Sequence, residues 1–301
     1  MGQLLLVGLA GFVASLVDGA LGMGFGPTSS SILLGAGLTP AASSATVNLA
    51  KVAAGLAAAV SHWRFGNIDH KLVLRLALPG MVGAVIGVTV LANVDGDTLK
   101  PILAALLLVV AVRILVRFTQ RAPVSAADAR RDEEEHRDDP IPEWNSSGTE
   151  VVAGMGGVTN GLIGAWGPVT TPFLLHRGLP PRFAIGSVNT AEVAVAIVAS
   201  GSLLGSMGGA GLDVGIVLAM LIGGVLAAPV AAYLIRYLPA RGMGIAVACL
   251  LMITNLRELS NWADVGPWRW VTYVGVPLLC LGCGLYPRFR ARRPAEAPAT
   301  A

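Results

Sequence analysis

Long apolar runs separated by short polar stretches dominate the chain. They lie at 3–17, 28–60, 72–92, 101–118, 151–175, 183–206, 214–235, 243–256 and 270–286. Most of them approach the roughly 20 residues that an α-helix needs to cross a hydrocarbon core about 30 Å thick. The ten-residue alternation that marks membrane β-strands is not visible. The pattern therefore predicts an all-α polytopic membrane protein, and a composition that is 54% hydrophobic and 13% charged agrees with it.

The second half of the chain repeats the first. The stretch "GPTSSSILLGAGLTPAASSATVNLAK" from Gly26 aligns with "GPVTTPFLLHRGLPPRFAIGSVNTAE" from Gly167, so that Lys51 aligns with Glu192. A Pro-rich and charged block separates the two copies and has the composition of a solvated linker. We expect a first transmembrane repeat at 1–118, a charged cytoplasmic linker at 119–149, a second repeat at 150–259, an extra transmembrane helix at 260–287 and a basic cytoplasmic tail at 288–301.

The basic residues between the apolar runs orient the chain, because Lys and Arg are retained in cytoplasmic loops. If each glycine-rich segment is a broken helical hairpin that enters and leaves on one side, only Lys100, Arg257 and Arg269 fall outside. Each repeat is then a broken hairpin plus three transmembrane helices, and the two repeats are inverted. Transporters with inverted repeats and broken helices bind substrate near the membrane midplane. We therefore expect a multi-pass protein of a bacterial inner membrane with its linker and C-terminus in the cytoplasm.

Glycine and proline interrupt the first apolar segment of each copy. In hydrocarbon, irregular backbone is tolerated only where protein or a water-lined cavity satisfies its polar groups. A break that exposes the N-terminus of a half-helix offers N–H groups and a positive dipole end to an anion. The candidate substrate-binding residues at the breaks are Gly24, Gly26, Pro27 and Thr28 in the first copy and Gly167, Pro168 and Thr170 in the second. The alternative is that the glycines only permit close helix packing, as Gly83 and Gly87 would.

Polar residues also line the helix that follows each break. Ser44, Asn48 and Lys51 fall on one helical face, and the matching face of the second copy carries Asn189 and Glu192. A charge at mid-bilayer costs at least about 2.5 to 3.5 kcal/mol, so such residues face a cavity or a partner. Ser44, Asn48, Lys51 and Asn189 are therefore candidate anion ligands, and Glu192 is a candidate proton carrier. The alternative is that Lys51 and Glu192 neutralise each other and hold the halves together.

Asp18, just before the first break, is a second proton candidate, whereas its repeat partner Asn160 cannot titrate. Alternatively, Asp18 only accepts hydrogen bonds from the unwound backbone. The four histidines fall in predicted loops or the linker, and the three cysteines are interpreted as small core residues. We expect no metal, no cofactor and no enzymatic activity, because nucleotide-binding and catalytic motifs are not visible in the chain.

These features resemble the sulfite exporter TauE/SafE family of membrane transporters. The resemblance rests on "GALGMGFGPTSSSILLGAGLTPAASSATVNLA" and "GLIGAWGPVTTPFLLHRGLPPRFAIGSVNTA", and it covers nearly all of residues 3–259. It implies transport of a sulfur-containing anion, such as sulfite or a sulfonate, or of another small organic anion. Bulky residues depart from the family pattern at the breaks, and Phe25 and Trp166 are therefore expected to shape the pocket for a particular substrate.

The sequence thus predicts a secondary transporter that exports a small anion by alternating access. In a cell that is negative inside, the membrane potential drives an anion outward with about 2.3 kcal/mol per charge per 100 mV, so export needs no coupling ion. The alternatives are an anion channel of the same fold and a proton-coupled uptake carrier. The expected partners are the small anion and the lipid bilayer, not nucleic acid, and association of several copies of the chain stays open.

Overall fold

The computed structural model describes residues 2–21, 24–120, 141, 143–207, 213–234, 240–266 and 269–290. Eleven helices account for most of these described residues. They are α1 (Gly2–Leu21), α2 (Phe25–Gly35), α3 (Pro40–Arg64), α4 (His70–Asn93), α5 (Gly96–Gln120), α6 (Thr149–Ile163), α7 (Gly167–His176), α8 (Pro181–Met207), α9 (Val214–Leu234), α10 (Ala240–Trp262) and α11 (Arg269–Arg290). Most of the predicted linker and of the basic tail lies outside the described residues.

Several of these helices suit a bilayer. Among the described residues, α3, α4, α5 and α8 are long and apolar enough to cross a membrane, and shorter apolar stretches lie in α1 and α9. Large apolar side chains also face outward; on α4, for example, Leu74, Leu78 and Val82 follow one another at intervals of four residues and are each about 60% exposed. An outward apolar stripe at helical spacing is what contact with lipid requires. The protein is an all-α polytopic membrane protein, as the sequence predicts.

Local sequence signals set the helix starts. Before α3, the Thr39 side chain accepts a hydrogen bond from the backbone N–H of Ala42 at 3.2 Å, and Pro40 occupies the first helical position. Before α4, the Asp69 carboxylate accepts bonds from the N–H groups of Lys71 and Leu72. Both arrangements satisfy N–H groups that a helix start leaves free. They fix the loops on either side of α3, the helix that carries most of the predicted polar face.

Helices of the two halves pack against each other in exchanged pairs. The first helix of each half lies on the fourth helix of the other, so that α1 packs on α9 and α6 packs on α4. Glycine makes these contacts close, since a Cβ atom added at Gly83 would lie 2.1 Å from the Gly154 carbonyl oxygen and one at Gly223 would lie 1.9 Å from that of Gly8. Gly83 therefore serves close helix packing, as the alternative interpretation of the glycines holds. Helix α3 packs against α8, and α5 packs against α10.

Candidate functional site at the junction of two helix breaks

Both predicted breaks are present, and they touch. Helix α1 ends at Leu21 and α2 begins at Phe25, while α6 ends at Ile163 and α7 begins at Gly167. Gly164 caps α6 with a φ of 66°, a left-handed conformation that glycine adopts without strain. A Cβ atom added at Gly26 would lie 1.8 Å from the Gly164 carbonyl oxygen. The start of α2 therefore lies directly against the end of α6, and we call this contact the junction.

An internal carboxylate occupies the amino end of α2. Asp18 Oδ1 accepts hydrogen bonds from the backbone N–H groups of Gly24 at 2.8 Å and Phe25 at 3.2 Å. A carboxylate at this position satisfies free donors and interacts favourably with the positive end of the helix dipole. In this structure, Asp18 therefore accepts bonds from the unwound backbone, which is the second of the two roles that the sequence left open.

A buried ammonium lies at the carboxyl end of α6. Lys51, which is only 9% exposed, donates hydrogen bonds from Nζ to the Gly164 carbonyl oxygen, to Asn160 Oδ1 at 3.3 Å and to Glu192 Oε1. Carbonyl groups at a helix C-terminus attract cations, and Glu192 supplies the opposite charge. Lys51 and Glu192 thus form an ion pair across α3 and α8, the pairing that the sequence left as an alternative.

Neutral polar side chains tie α3 to α6 around this ion pair. Asn48 and Asn160 are both fully buried, and Asn160 Nδ2 donates to Asn48 Oδ1 at 2.7 Å while Asn48 Nδ2 reaches the Asn160 carbonyl oxygen at 3.3 Å. Ser44 Oγ donates to the Gly161 carbonyl oxygen at 2.6 Å, and Ser30 Oγ of α2 donates to that of Ile163 at 2.8 Å. Buried polar groups need such partners, and here the partners hold the last turn of α6 in place.

The two half-helices each carry a buried threonine near the amino end, and the two side chains differ in their bonding. Both Thr28 on α2 and Thr170 on α7 are fully buried. Thr170 Oγ1 donates to the Trp166 carbonyl oxygen at 3.0 Å, whereas Thr28 Oγ1 has no hydrogen-bond partner within the described part of the chain. A buried hydroxyl without a partner is unusual and calls for an explanation such as a ligand. Thr28 lies one turn into α2 from the junction.

Comparison with known proteins agrees with this architecture. A sequence model of the sulfite exporter TauE/SafE family matches residues 7–257, a range that includes both breaks and all of the junction. The chain belongs to the sulfite exporter TauE/SafE family. It is also similar to the probable membrane transporter protein YtnM of Bacillus subtilis (strain 168), with 37% identity over 287 residues that cover 94% of this chain and 90% of that protein. The family and this relative place the chain among membrane transporters.

A second similar protein is the probable membrane transporter protein ORF9 of a Sinorhizobium species. It is 34% identical over 104 residues, which cover 35% of this chain and 40% of that protein. No solved structure matches the chain significantly. The resemblance read from the repeated Gly-Pro motif is therefore confirmed by the family match, while the geometry of the junction comes from the present structure.

In this TauE/SafE member, some predicted site residues gather at the junction and others do not. The residues that meet there are Asp18, Gly24, Gly26, Ser44, Asn48, Lys51 and Glu192. Asn189 lies elsewhere, with its Nδ2 at 3.5 Å from His62 Nε2. Pro27, Pro168 and Thr170 are buried within the first turns of α2 and α7, and Gly167 begins α7. Whether any of these residues binds substrate stays a prediction.

The two bulky residues at the breaks are packed inside the protein. Trp166 is fully buried, its Nε1 donates to the Val188 carbonyl oxygen at 3.1 Å, and its ring packs at Gly80 of α4. Phe25 packs in an apolar cluster with residues such as Val7 and Met220. Whether the two side chains also shape a pocket for substrate stays a prediction. A helical position predicts burial but not the side of a break toward which the side chain turns.

Sequence reasoning also missed polar features of the fold. Asn160 and the Gly164 carbonyl oxygen both bind Lys51, although the first was considered only as the neutral partner of Asp18. A small crevice lies between α2, α5 and α10, and its polar lining consists of Ser31, Lys100, Thr254, Asn255 and Glu258. Asn255 Nδ2 donates to Ser31 Oγ at 2.8 Å. Because α10 is nearly 230 residues from α2 in the chain, local sequence gives no signal for this contact.

Proposed function

We propose that this chain is a secondary carrier that exports a small sulfur-containing or organic anion, such as sulfite or a sulfonate. The observation that carries the proposal is a buried lysine, Lys51, at the contact of two broken helices inside a membrane transporter. Buried ionisable residues within membrane helices mark substrate or ion pathways. Family membership supports a sulfur oxyanion, because the family is described by sulfite export.

The donors around the junction fit an oxyanion. Lys51 offers N–H groups and a full positive charge, and Thr28 offers a hydroxyl whose hydrogen-bonding capacity is unused in the described structure. Helix α7 contributes a second positive dipole end, since its first turn contains no acidic residue and its N-cap, Trp166, makes no side-chain capping bond. Sulfite, sulfonates and small carboxylates present several oxygens, each of which can accept a hydrogen bond from a donor of this kind. The lipid bilayer and this anion are the partners we propose.

Alternating access is the transport mode we propose, with the two halves moving against each other about the junction. We place the protein in a bacterial inner membrane with the linker and C-terminus in the cytoplasm, because that orientation keeps most basic residues inside. An anion channel of the same fold and a proton-coupled uptake carrier are the competing functions. Saturation and counterflow separate a carrier from a channel, since only a carrier exchanges labelled for unlabelled substrate through a shared site.

Binding can be tested on purified full-length protein with a thermal-shift panel of sulfite, methanesulfonate, sulfate, acetate and chloride. A ligand that binds only the folded state stabilises it by about 2.7 kcal/mol at a concentration one hundred times Kd. This stabilisation raises the apparent melting temperature. We expect sulfite or methanesulfonate to stabilise the wild type and Lys51→Gln to lose the response. Lys100→Gln is the matched control, because Lys100 also pairs with a carboxylate, Asp97, but lies in α5 away from the junction.

Transport is tested with the same proteins in liposomes. The proposal predicts saturable uptake of labelled methanesulfonate or sulfite that unlabelled anion accelerates from the opposite side, with Lys51→Gln inactive and Lys100→Gln active. Flux that rises linearly with concentration and shows no counterflow would favour the channel. No stabilisation and no flux with any anion of the panel would refute an anion carrier of this class.

A further inference from the structure

We propose that one proton crosses the membrane with each monoanion. Glu192 must be protonated before Lys51 can exchange its hydrogen bond to Glu192 for one to the substrate. The inference rests on the proposed function, since it concerns the same junction. It goes beyond that function by assigning the coupling ion, its stoichiometry and the residue that exchanges the proton.

All three N–H donors of the Lys51 ammonium are engaged in this structure. An ammonium carries three N–H donors, and in this structure they are directed to Gly164 O, Asn160 Oδ1 and Glu192 Oε1. A substrate oxygen therefore reaches Lys51 only by displacing one acceptor. Gly164 O belongs to a turn fixed by its own backbone bond to Asn160, and Asn160 is held by Asn48. Glu192 is the acceptor that can leave, because its side chain is 19% exposed.

The charge balance of the junction also favours a proton on Glu192 when a monoanion binds. With all groups ionised, Lys51 contributes one positive charge and Glu192 and Asp18 contribute two negative charges, which leaves a net charge of −1. A monoanion that entered alone would raise this to −2 in a buried site, and a buried charge without compensation is strongly unfavourable. If a proton binds Glu192 as the monoanion binds Lys51, the net charge stays at −1. The occupied and empty junctions then carry equal charge.

The step involves proton transfer and exchange of a hydrogen bond only. A proton from the solvent side binds the Glu192 carboxylate, which becomes a neutral carboxyl and releases its hydrogen bond from Lys51 Nζ. Lys51 stays an ammonium throughout, and the N–H that pointed to Glu192 now donates to an oxygen of the anion. After the junction opens to the other side, the anion leaves, Glu192 loses its proton to that side, and the original ion pair forms again.

The surroundings leave Glu192 as the group that titrates. The charges that act on it are Lys51 on α3 and Asp18 on α1. Asp18 is engaged by two backbone N–H groups, and α6 presents the neutral Asn160 to the junction. The remaining titratable groups on helices packed against α8 lie toward helix ends: His62 and Arg64 on α3, His70, Lys71 and Arg75 on α4, Glu150 on α6 and His176 on α7.

The inference changes what drives transport. A membrane potential acts only on net charge that moves, and a monoanion with one proton carries none. The wild type should therefore equilibrate a monoanion against a pH gradient and ignore the potential. Export would then follow the substrate gradient, without the electrical term that an uncoupled anion would gain, and a proton gradient directed into the cell would oppose it.

The experiment uses full-length protein in liposomes with methanesulfonate, which is a monoanion throughout the working pH range. Valinomycin and potassium gradients set the potential, and buffers set the pH on each side. For the wild type we expect about tenfold accumulation on the alkaline side per pH unit and no accumulation from potential alone. Glu192→Gln, a neutral mimic of the protonated residue, should accumulate methanesulfonate about 50-fold on the positive side at 100 mV and ignore the pH gradient. Glu150→Gln removes a glutamate from another interhelical ion pair, with Arg75, and should behave as the wild type does.

Each outcome decides the matter. About 50-fold accumulation by the wild type at 100 mV would overturn proton coupling while leaving the anion carrier intact. A Glu192→Gln protein that keeps proton-linked, potential-independent flux would overturn the role of Glu192. If Glu192→Gln does not fold, the wild-type response to potential and pH decides alone. Absence of wild-type flux for every anion tested would refute the proposed function, and the inference would fall with it.

Discussion

The two helix breaks share a sequence pattern but hold opposite charges. At the first break, the amino end of α2 binds a carboxylate, since Gly24 and Phe25 donate to Asp18. At the second, the carboxyl end of α6 binds an ammonium, since the Gly164 carbonyl oxygen accepts from Lys51. Both interactions follow the helix dipole, which is positive at an amino end and negative at a carboxyl end. Duplicated backbone breaks therefore need not form two copies of one binding site.

One sequence difference between the two copies accompanies this division of charge between the breaks. Asp18 in the first half corresponds to Asn160 in the second, where a neutral amide accepts from Lys51 and donates to Asn48. A carboxylate at 160 would place a second negative charge beside Lys51, and it could not donate to Asn48. The asymmetry thus leaves the amino end of α7 without a carboxylate cap, whereas Asp18 occupies the amino end of α2.

A large effect on stability is expected from separating the two breaks. In Gly26→Ala, the added methyl group would lie 1.8 Å from the Gly164 carbonyl oxygen, so the backbones must move apart. We expect a loss of about 3 kcal/mol in the free energy of unfolding, measured by denaturant titration in mixed micelles. The control is Gly35→Ala on the same helix, where nothing lies within 4 Å of the added atom. Equal stability of the two variants would show that the breaks do not pack as described.

The next effect concerns the charge at the second break. Lys51→Met leaves Glu192 as a largely buried carboxylate without its partner, and removing one partner of a buried ion pair destabilises a protein by about 3 to 5 kcal/mol. The double variant Lys51→Met with Glu192→Gln removes both charges. We therefore expect it to unfold at a higher denaturant concentration than the single variant. If the two substitutions instead destabilise additively, the ion pair at the junction contributes nothing beyond its separate parts.

Much of this arrangement could be predicted from the sequence, because its signals are local or repeated. Apolar length predicts the helices, Gly and Pro predict the breaks, and alignment of the halves brings Lys51 and Glu192 to matching positions. An ion pair between them was accordingly one of two interpretations. Helix α3 also faces the second half of the chain, as its polar spacing predicts. Its residues Ser44, Asn48 and Lys51 are all buried against α6 or α8.

Other parts depend on tertiary geometry that no local pattern encodes. The sequence predicts that Gly164 exposes backbone at a break, but the direction of its carbonyl oxygen follows from the left-handed turn that ends α6. Asn189 shares a helical face with Glu192, yet it contacts His62 because α3 packs against α8. Trp166 turns into the space between α4 and α8, where Gly80 leaves room for the ring. Spacing defines a face, whereas crossing angles decide which partner meets it.

A smaller loss of stability should follow when Asp18 at the first break is replaced by asparagine, the residue at the matching position before the second break. Asp18→Asn keeps an acceptor oxygen for the N–H groups of Gly24 and Phe25 but removes its charge. Charge-assisted bonds are about twice as strong as neutral ones, so we expect a loss of about 1 kcal/mol. Asp97→Asn is the control, because Asp97 forms an exposed pair with Lys100, and such pairs contribute little. A change no larger than the control, again by denaturant titration, would mean that Asp18 does not stabilise α2.

The smallest stability effect, and the most specific one, separates the buried threonines Thr28 on α2 and Thr170 on α7. Thr170→Val removes a hydrogen bond to the Trp166 carbonyl oxygen and should cost about 1 kcal/mol. Thr28→Val removes a buried hydroxyl whose partner is not found within the described residues, so stability should stay within about 0.5 kcal/mol or rise. If the Thr28 hydroxyl donates to the anion, Thr28→Val should weaken methanesulfonate or sulfite binding about tenfold, while Thr170→Val leaves it unchanged. Ligand titration by thermal shift measures both quantities on the same samples. Equal losses of affinity in the two variants would remove the distinction between the breaks, because the Thr28 hydroxyl at the first break would then contribute no more to anion binding than the Thr170 hydroxyl at the second.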